Sequence, residues 1–219
     1  MAAVSEIIVR EFFELNGFFV RQQRKYIAAA RREDDEIDFL IWNSRYRADA
    51  EPPPFVLTTQ DFAGISRAVV VVKGWHTETF SPGVLANAPE IFRFVEPPVF
   101  QHAALGFRED GPLVKMLVVP ALPQNESARD ASIELLRSKG VDAIIPFRTM
   151  LLDLIGQTEV NRNYQKSDLL QIIRILKNYD FFREPQLELF KARRGRKGGK
   201  RSTTSKRPER AEPSGATGT

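Results

Sequence analysis

Short apolar runs separated by polar turns dominate the hydrophobic pattern of this 219-residue chain. The clearest run, residues 69–72, consists of four valines and ends on Lys73. A β-branched run of this length predicts a strand that is buried on both faces. An earlier apolar run, residues 37–42, contains one acidic residue, Asp38. If these two strands pair side by side, Asp38 and Lys73 lie at the same rim of the sheet.

The pattern on either side of these strands alternates between helical and extended periodicity. Residues 4–16 predict a helix with Val4, Ile8, Phe12 and Leu15 on one apolar stripe, ended by Asn16–Gly17. The remaining predicted elements are a strand at 18–26, a short strand at 55–59, a helix that opens at Ser81–Pro82 and restarts at Pro89, a strand at 113–119, a helix at 126–139 capped by Asn125, a strand at 141–145, and helices at 147–155 and 167–178. This order predicts an α/β fold.

Composition narrows the class of protein. With 42% hydrophobic and 27% charged residues, residues 1–190 are expected to form a single globular domain. Cysteine is absent, which excludes disulfides, thiolate metal sites and a cysteine nucleophile, and two histidines do not make a zinc cluster. Because no membrane span or targeting signal is evident in the sequence, we expect a cytoplasmic protein.

Charge is divided unevenly along the chain. Residues 191–219 carry ten basic and two acidic residues, so they hold +8, whereas residues 1–190 hold 22 basic and 26 acidic residues, or −4. The last segment has no large apolar residue beyond position 191, so we expect it to be a disordered polybasic tail. Such a tail usually binds a polyanion, and nucleic acid is the leading candidate. The alternative is that the segment is a solubilising extension.

The chemistry of the rim has two interpretations. A carboxylate and an ammonium at the end of a core form either a structural ion pair or half of a metal-dependent phosphodiester site. His76 lies just beyond Lys73, where a histidine beside an aromatic residue more often belongs to a packed turn than to a phosphate contact. No glycine-rich phosphate loop is present in the sequence.

Three stretches together resemble the PD-(D/E)XK superfamily, the restriction-endonuclease-like fold that includes archaeal Holliday-junction resolvases and Mrr-type endonucleases. They are NGFFV at 16–20, EID at 36–38 and VVVVKGWH at 69–76, which cover the first half of the chain. The resemblance implies a mixed sheet with an αβββαβ core, to which this chain adds further C-terminal helices.

The resemblance also implies roles for particular residues. Asp38 takes the place of the central metal ligand, and Lys73 that of the basic catalytic residue. The family often adds a glutamate from the first helix. In the family this glutamate lies at a usual distance from the glycine that ends the helix, and that distance favours Glu6. The helical-wheel position on the flank of the apolar stripe slightly favours Glu11 instead.

One position departs from the family pattern. The residue two before Lys73 is normally Glu, Asp or Gln, and here it is Val71. Hydrolysis of this kind needs Mg²⁺ (or Mn²⁺) held by at least two carboxylate oxygens, so a relocated acid such as Glu78 or Glu90 is needed. Val71 therefore leaves loss of catalysis as an open alternative.

The sequence thus predicts a Mg²⁺-dependent DNA endonuclease, with a homodimer left open as its assembly. Two alternatives remain, a catalytically inactive nuclease-fold module that only binds DNA and a small scaffold protein whose apolar helix 167–178 docks on a partner. Basic residues expected to contact nucleic acid, if they do not form a solvated edge strand or tail, are Arg21, Arg24, Lys25, Arg193, Arg194, Arg196, Lys197, Lys200 and Arg201.

Overall fold

The structure, a computed structural model, describes residues 2–23, 36–107 and 111–182. The chain divides into two units, Met1–Tyr179 and Asp180–Thr219. Of the second unit, residues 180–182 are described. Arg24, Lys25, the turn at 28–35 and the predicted basic tail with its six candidate residues therefore lie outside the described residues.

Five strands form one sheet in the described part of the chain, in the order β1-β2-β3-β4-β5. They are β1 (Phe18–Gln22), β2 (Phe39–Asn43), β3 (Arg67–Val72), β4 (Val114–Val119) and β5 (Ala143–Pro146). The first three strands form an antiparallel meander, and β4 and β5 run parallel to β3. The protein is therefore a mixed α/β protein, as the sequence predicts.

Six α-helices accompany these strands in the same described ranges. They are α1 (Ala2–Leu15), α2 (Pro82–Asn87), α3 (Pro97–Ala104), α4 (Glu126–Ser138), α5 (Phe147–Gln157) and α6 (Asp168–Asn178). Two 3-10 helices, Thr59–Gly64 and Pro89–Val95, complete the connections. Pro89 restarts the chain as a 3-10 helix because a proline can occupy the first turn but cannot continue α2.

Each face of the sheet supports its own hydrophobic core. Val70 packs with α1, α5 and α6 residues on one face, whereas Val69 and Val71 pack with α2, α3 and α4 residues on the other. Successive side chains of a strand point to opposite faces, so a run of valines suits a strand that is covered on both sides. The prediction of a doubly buried β3 is confirmed.

Predicted helix caps are confirmed at Ser81 and Asn125, and the structure adds a third cap at Ser167, which was predicted as the first helical residue. The side chains of Ser81, Asn125 and Ser167 accept hydrogen bonds from backbone N–H groups three residues on, at 3.3, 3.0 and 3.3 Å. Each side chain satisfies a donor that the first turn leaves without a helical partner.

Three details differ from the prediction. Residues 55–59 do not form a strand, since only Val56 makes an isolated bridge, to Ile144. The helix α3 was not predicted, although the pair Pro97–Pro98 fits the first turn of a helix. On α1, Val4 is exposed, and the buried face is made by Ser5, Val9, Phe12 and Phe13.

The helix α6 is the one that the scaffold hypothesis assigns to a partner. Its Leu170 and Ile173 are buried in the protein's own core, and its Ile172 and Ile175 are exposed. Part of the apolar face of α6 is thus already used within the chain. None of the helices in the described ranges has the length and apolar content that a membrane span requires.

Candidate functional site

Asp38 and Lys73 lie at one rim of the sheet because β2 and β3 are antiparallel neighbours. Phe39 pairs with Val70, so Asp38, one residue before β2, stands beside the carboxyl end of β3. Lys73 follows the last residue of β3, and its backbone N–H donates to the carbonyl of Val118 on β4 at 3.1 Å. The sheet therefore fixes the backbone at both candidate residues.

The side chain of Asp38 is held by the neighbouring strand. Its Oδ2 accepts a hydrogen bond of 2.7 Å from the backbone N–H of Val72, and the residue is 6% exposed. A carboxylate that accepts a backbone N–H in a mostly buried place is oriented by that bond. Asp38 thus presents a fixed acidic group at the end of β3.

A cavity of about 630 Å³ opens at this rim. Asp38 and Lys73 both line it, together with three glutamates and a loop that follows β3. The lining residues that carry charge or a polar group are Ser5, Glu6, Glu36, Asp38, Lys73, Trp75, His76, Thr77 and Glu78. Four carboxylates against one ammonium give this wall an excess of three negative charges when His76 is neutral.

Of the two helix glutamates that the sequence left open, Glu6 lines the cavity. Its Oε2 accepts a hydrogen bond of 2.7 Å from the side chain of Gln22 on β1. Glu11 lies further along α1, buried, with its carboxylate 3.9 Å from the Arg10 guanidinium. Burial raises the pKa of the nearby Glu14 carboxyl against the pull of Arg10, and the charge of Glu11 adds to that rise.

Glu36 and Glu78 supply the other two acids of the wall. Glu36 comes two residues before Asp38, and its Oε1 lies 3.3 Å from the Arg93 guanidinium. Glu78 belongs to the loop after β3 and is exposed at the cavity. Sequence reasoning missed Glu36 as a candidate, and no local pattern marks it, because it lies before β2 in a segment that is not a strand. Glu90 is exposed on the 3-10 helix Pro89–Val95.

The loop that carries His76 is locked to α1. The Ser5 hydroxyl and His76 Nε2 share a hydrogen bond of 2.9 Å, in which either group can donate, and Ser5 is 1% exposed. The His76 ring also meets the edge of Phe147, with centroids 4.5 Å apart. Gly74 allows this approach, because a Cβ at that position would lie 2.5 Å from Ser5 Oγ. His76 therefore belongs to a packed turn at the cavity wall.

Replacing Gly74 by alanine is expected to lower the free energy of unfolding by about 1–3 kcal/mol, the usual cost of overpacking. The new methyl group meets a buried hydroxyl that already shares a hydrogen bond with His76. In the Ser5→Ala background the loss should be smaller, so a double-mutant cycle in chemical denaturation should show coupling. Gly83→Ala is the matched control, since a Cβ there would meet nothing within 4 Å. If the double variant lost as much free energy of unfolding as the two single variants together, the Gly74–Ser5 contact would be contradicted.

Val71 occupies the place where the family pattern has its second acid. Its side chain is 1% exposed and packs in the core cluster that includes Leu40 and Phe80. This position therefore contributes no polar group to the cavity. Any second carboxylate at the rim comes from another element.

The one nucleic-acid candidate within the described ranges is Arg21. It is exposed on β1, which is an edge strand of the sheet. Its cross-strand neighbour is Leu40. The other eight candidates fall outside the described residues.

Among residues 2–23, 36–107 and 111–182, no three acidic or histidine side chains are gathered as a group that could hold a metal ion. Comparison of the chain with protein-family models, with curated proteins and with solved structures finds no match. What the fold and the cavity define is a mixed α/β protein with an acidic, lysine-containing cavity at one rim of its sheet.

Proposed function

We propose that this protein hydrolyses phosphodiester bonds of DNA at the cavity beside Asp38 and Lys73, in a Mg²⁺-dependent reaction. The observation that carries the proposal is that these two residues, chosen from sequence alone, line one cavity with Glu6, Glu36 and Glu78. A cleft that combines several carboxylates with one ammonium has the groups that phosphoryl chemistry uses.

The order of elements supports the same proposal. A helix, a three-stranded antiparallel meander, further helices and a strand parallel to β3 follow one another along the chain. This is the αβββαβ order that the resemblance to the restriction-endonuclease-like fold implies. Asp38 precedes the second strand by one residue and Lys73 follows the third by one, so each lies next to the strand on which the resemblance places it.

The cavity offers carboxylate oxygens, the type of ligand that Mg²⁺ and Mn²⁺ prefer, which supports this choice of ion. Mg²⁺ keeps several water ligands and is usually held by one or two carboxylates together with substrate phosphate, so a preformed cage of three protein ligands is not needed. Asp38 would hold the ion, with Glu6, Glu36 or Glu78 as the second acid; Glu11 lies outside the cavity lining. When bound, the ion supplies Lewis-acid stabilisation of phosphate charge and a more acidic water.

The chain's own residues position and stabilise the reacting groups. Val72 N–H orients the Asp38 carboxylate, and Gln22 orients Glu6. The Lys73 ammonium, on a backbone fixed by β4, provides positive charge in an acidic wall, where it attracts the phosphate and stabilises the charge that grows on it. The negative charge of Asp38 and Glu6 keeps the wall attractive to a cation.

A second candidate function is DNA binding without catalysis. It is favoured by the buried, apolar Val71 and because the described residues include no group of three acidic or histidine side chains placed to hold a metal ion. In that case the fold serves as a DNA-tethered module. Assembly as a homodimer stays a prediction under either function.

Metal binding separates the two candidates. Titration calorimetry with Mn²⁺ on the full chain should show binding for the wild type, and Asp38→Asn should abolish it because the amide cannot replace the charged ligand. Glu126→Gln, on the exposed start of α4, serves as the control. Absence of Mn²⁺ binding by the wild type, or equal binding by the wild type and Asp38→Asn, would favour the non-catalytic module.

A further inference from the structure

One face of the edge strand β1 is left uncovered by the helices of the described residues. Phe18 packs into the core with α1 residues, whereas Phe19 and Arg21 point to the opposite side of the sheet. On that side the other strands are covered by α2, α3 and α4, yet Phe19 is 70% exposed and Arg21 is exposed. A phenylalanine that gains so little burial in its own chain is a candidate contact for a partner.

Phe19 continues an aromatic row that runs into the protein. Its cross-strand neighbour is Trp42, and the Trp42 ring lies 4.6 Å from the Phe107 ring. Opposed residues on paired strands have Cβ atoms about 5 Å apart, so Trp42 supports the base of the Phe19 side chain. The exposed ring thus stands on a packed aromatic base rather than on a mobile loop.

The sequence around this strand is basic, which points to an anionic partner. Residues 17–27 contain three basic residues and no acidic residue, although residues 1–190 as a whole are acidic. Arg21 is the one of these three that the structure describes, and it lies on the uncovered face, two positions from Phe19. An aromatic ring next to a cation fits one base and its phosphate in an unpaired strand, because every base offers a face to stack on and duplex DNA hides those faces.

Strand β1 also leads to the cavity. The backbone N–H of Gln23 donates to the carbonyl of Asp38 at 2.8 Å, and the Gln22 side chain bonds Glu6 of the cavity wall. Four residues of extended chain separate Phe19 from Gln23, which is about 13 Å. A strand laid along β1 therefore arrives at the rim where Asp38 lies.

We propose that the Phe19–Arg21 face of β1 binds an unpaired DNA strand, with a base stacked on Phe19 and a phosphate on Arg21. The proposal rests on the proposed function in so far as it names the substrate of the same cavity as DNA with a single-stranded segment. It makes Phe19 a determinant of preference for unpaired over paired strands.

Fluorescence anisotropy with a labelled single-stranded oligonucleotide and with its duplex tests this directly. Measurements use the full chain in EDTA, so that cleavage plays no part, and about 0.2 M salt, so that sequence-independent electrostatic binding is reduced. Phe19→Ser should weaken single-strand binding at least about fivefold, the lower end of what loss of one stacked base costs, and should leave duplex binding unchanged. Phe19→Tyr should bind as the wild type does.

Tyr179→Ser is the matched control, because Tyr179 is 71% exposed and follows α6, which packs on the other face of the sheet. Equal single-strand affinity of the wild type and Phe19→Ser would overturn the proposal, as would equal weakening by Tyr179→Ser. A wild-type dimer that Phe19→Ser converts to a monomer in sedimentation would also overturn it, because Phe19 would then serve self-association. If Phe19→Ser weakens single-strand binding in EDTA but the wild type cleaves no DNA with Mg²⁺, the binding face is supported and the proposed function is contradicted. If the wild type cleaves DNA but Phe19→Ser binds single strands as well as the wild type does, the proposed function is supported and the binding face is contradicted.

Discussion

Lys73→Ala is expected to reduce the rate of DNA cleavage by about 10²–10³-fold in kcat, with a much smaller change in KM. Removal of one preorganised charge that stabilises a transition state typically has this effect. The measurement is cleavage of a labelled oligonucleotide with Mg²⁺ under saturating substrate.

Lys139→Ala is the control for this substitution. Lys139 is exposed after α4 and lies 6.0 Å from the centre of the Phe92 ring, so its loss removes one positive charge without touching the cavity. It should leave kcat unchanged. If Lys73→Ala changed only KM, Lys73 would be a binding residue and the catalytic role assigned to it would be wrong.

Asp38→Ala is expected to lower the free energy of unfolding by about 1–3 kcal/mol, because it leaves the Val72 N–H without its acceptor in a mostly buried place. For a chain of this size each kcal/mol shifts Tm by about 2–4 °C. Asp38→Asn should lose less, since its amide oxygen can still accept that hydrogen bond. Comparison of the two variants by thermal denaturation therefore separates the structural role of Asp38 from its charge.

Asp142 offers a matched control, because it makes the same kind of hydrogen bond to a backbone N–H. Its Oδ2 accepts from the backbone N–H of Lys115 at 2.8 Å, but Asp142 is exposed, so water can replace it. Asp142→Ala should thus cost less than Asp38→Ala. Equal losses at the two positions would mean that burial of the Asp38 bond has no bearing on stability.

Local patterns predicted the parts of this fold that depend on neighbouring residues. The valine run of β3 is confirmed because only a strand covered on both sides accommodates four such residues. The Asn125 and Ser81 caps are confirmed because each is followed directly by a helical first turn. The shared cavity of Asp38 and Lys73 follows from adjacency of β2 and β3, which an antiparallel meander makes probable from order alone.

Tertiary contacts decided what the sequence could not. Hydrophobicity placed Val4 on the inner face of α1, yet the inner position is taken by Ser5, whose hydroxyl is satisfied by His76 from 71 residues away. Nothing local marks a serine for such a place. The sequence shows that position 71 has no acid. It does not show that Glu36 lines the cavity, because that depends on the path of the chain into β2.

The most direct test of the central claim is a single comparison of DNA cleavage by wild-type protein and Asp38→Asn, purified in parallel and assayed with Mg²⁺ on an oligonucleotide that has both paired and unpaired segments. The proposal predicts cleavage by the wild type that EDTA stops and that Asp38→Asn lowers at least about a hundredfold. No cleavage by the wild type, or equal rates for both proteins, would contradict the assignment of the Asp38–Lys73 cavity as a phosphodiester hydrolysis site.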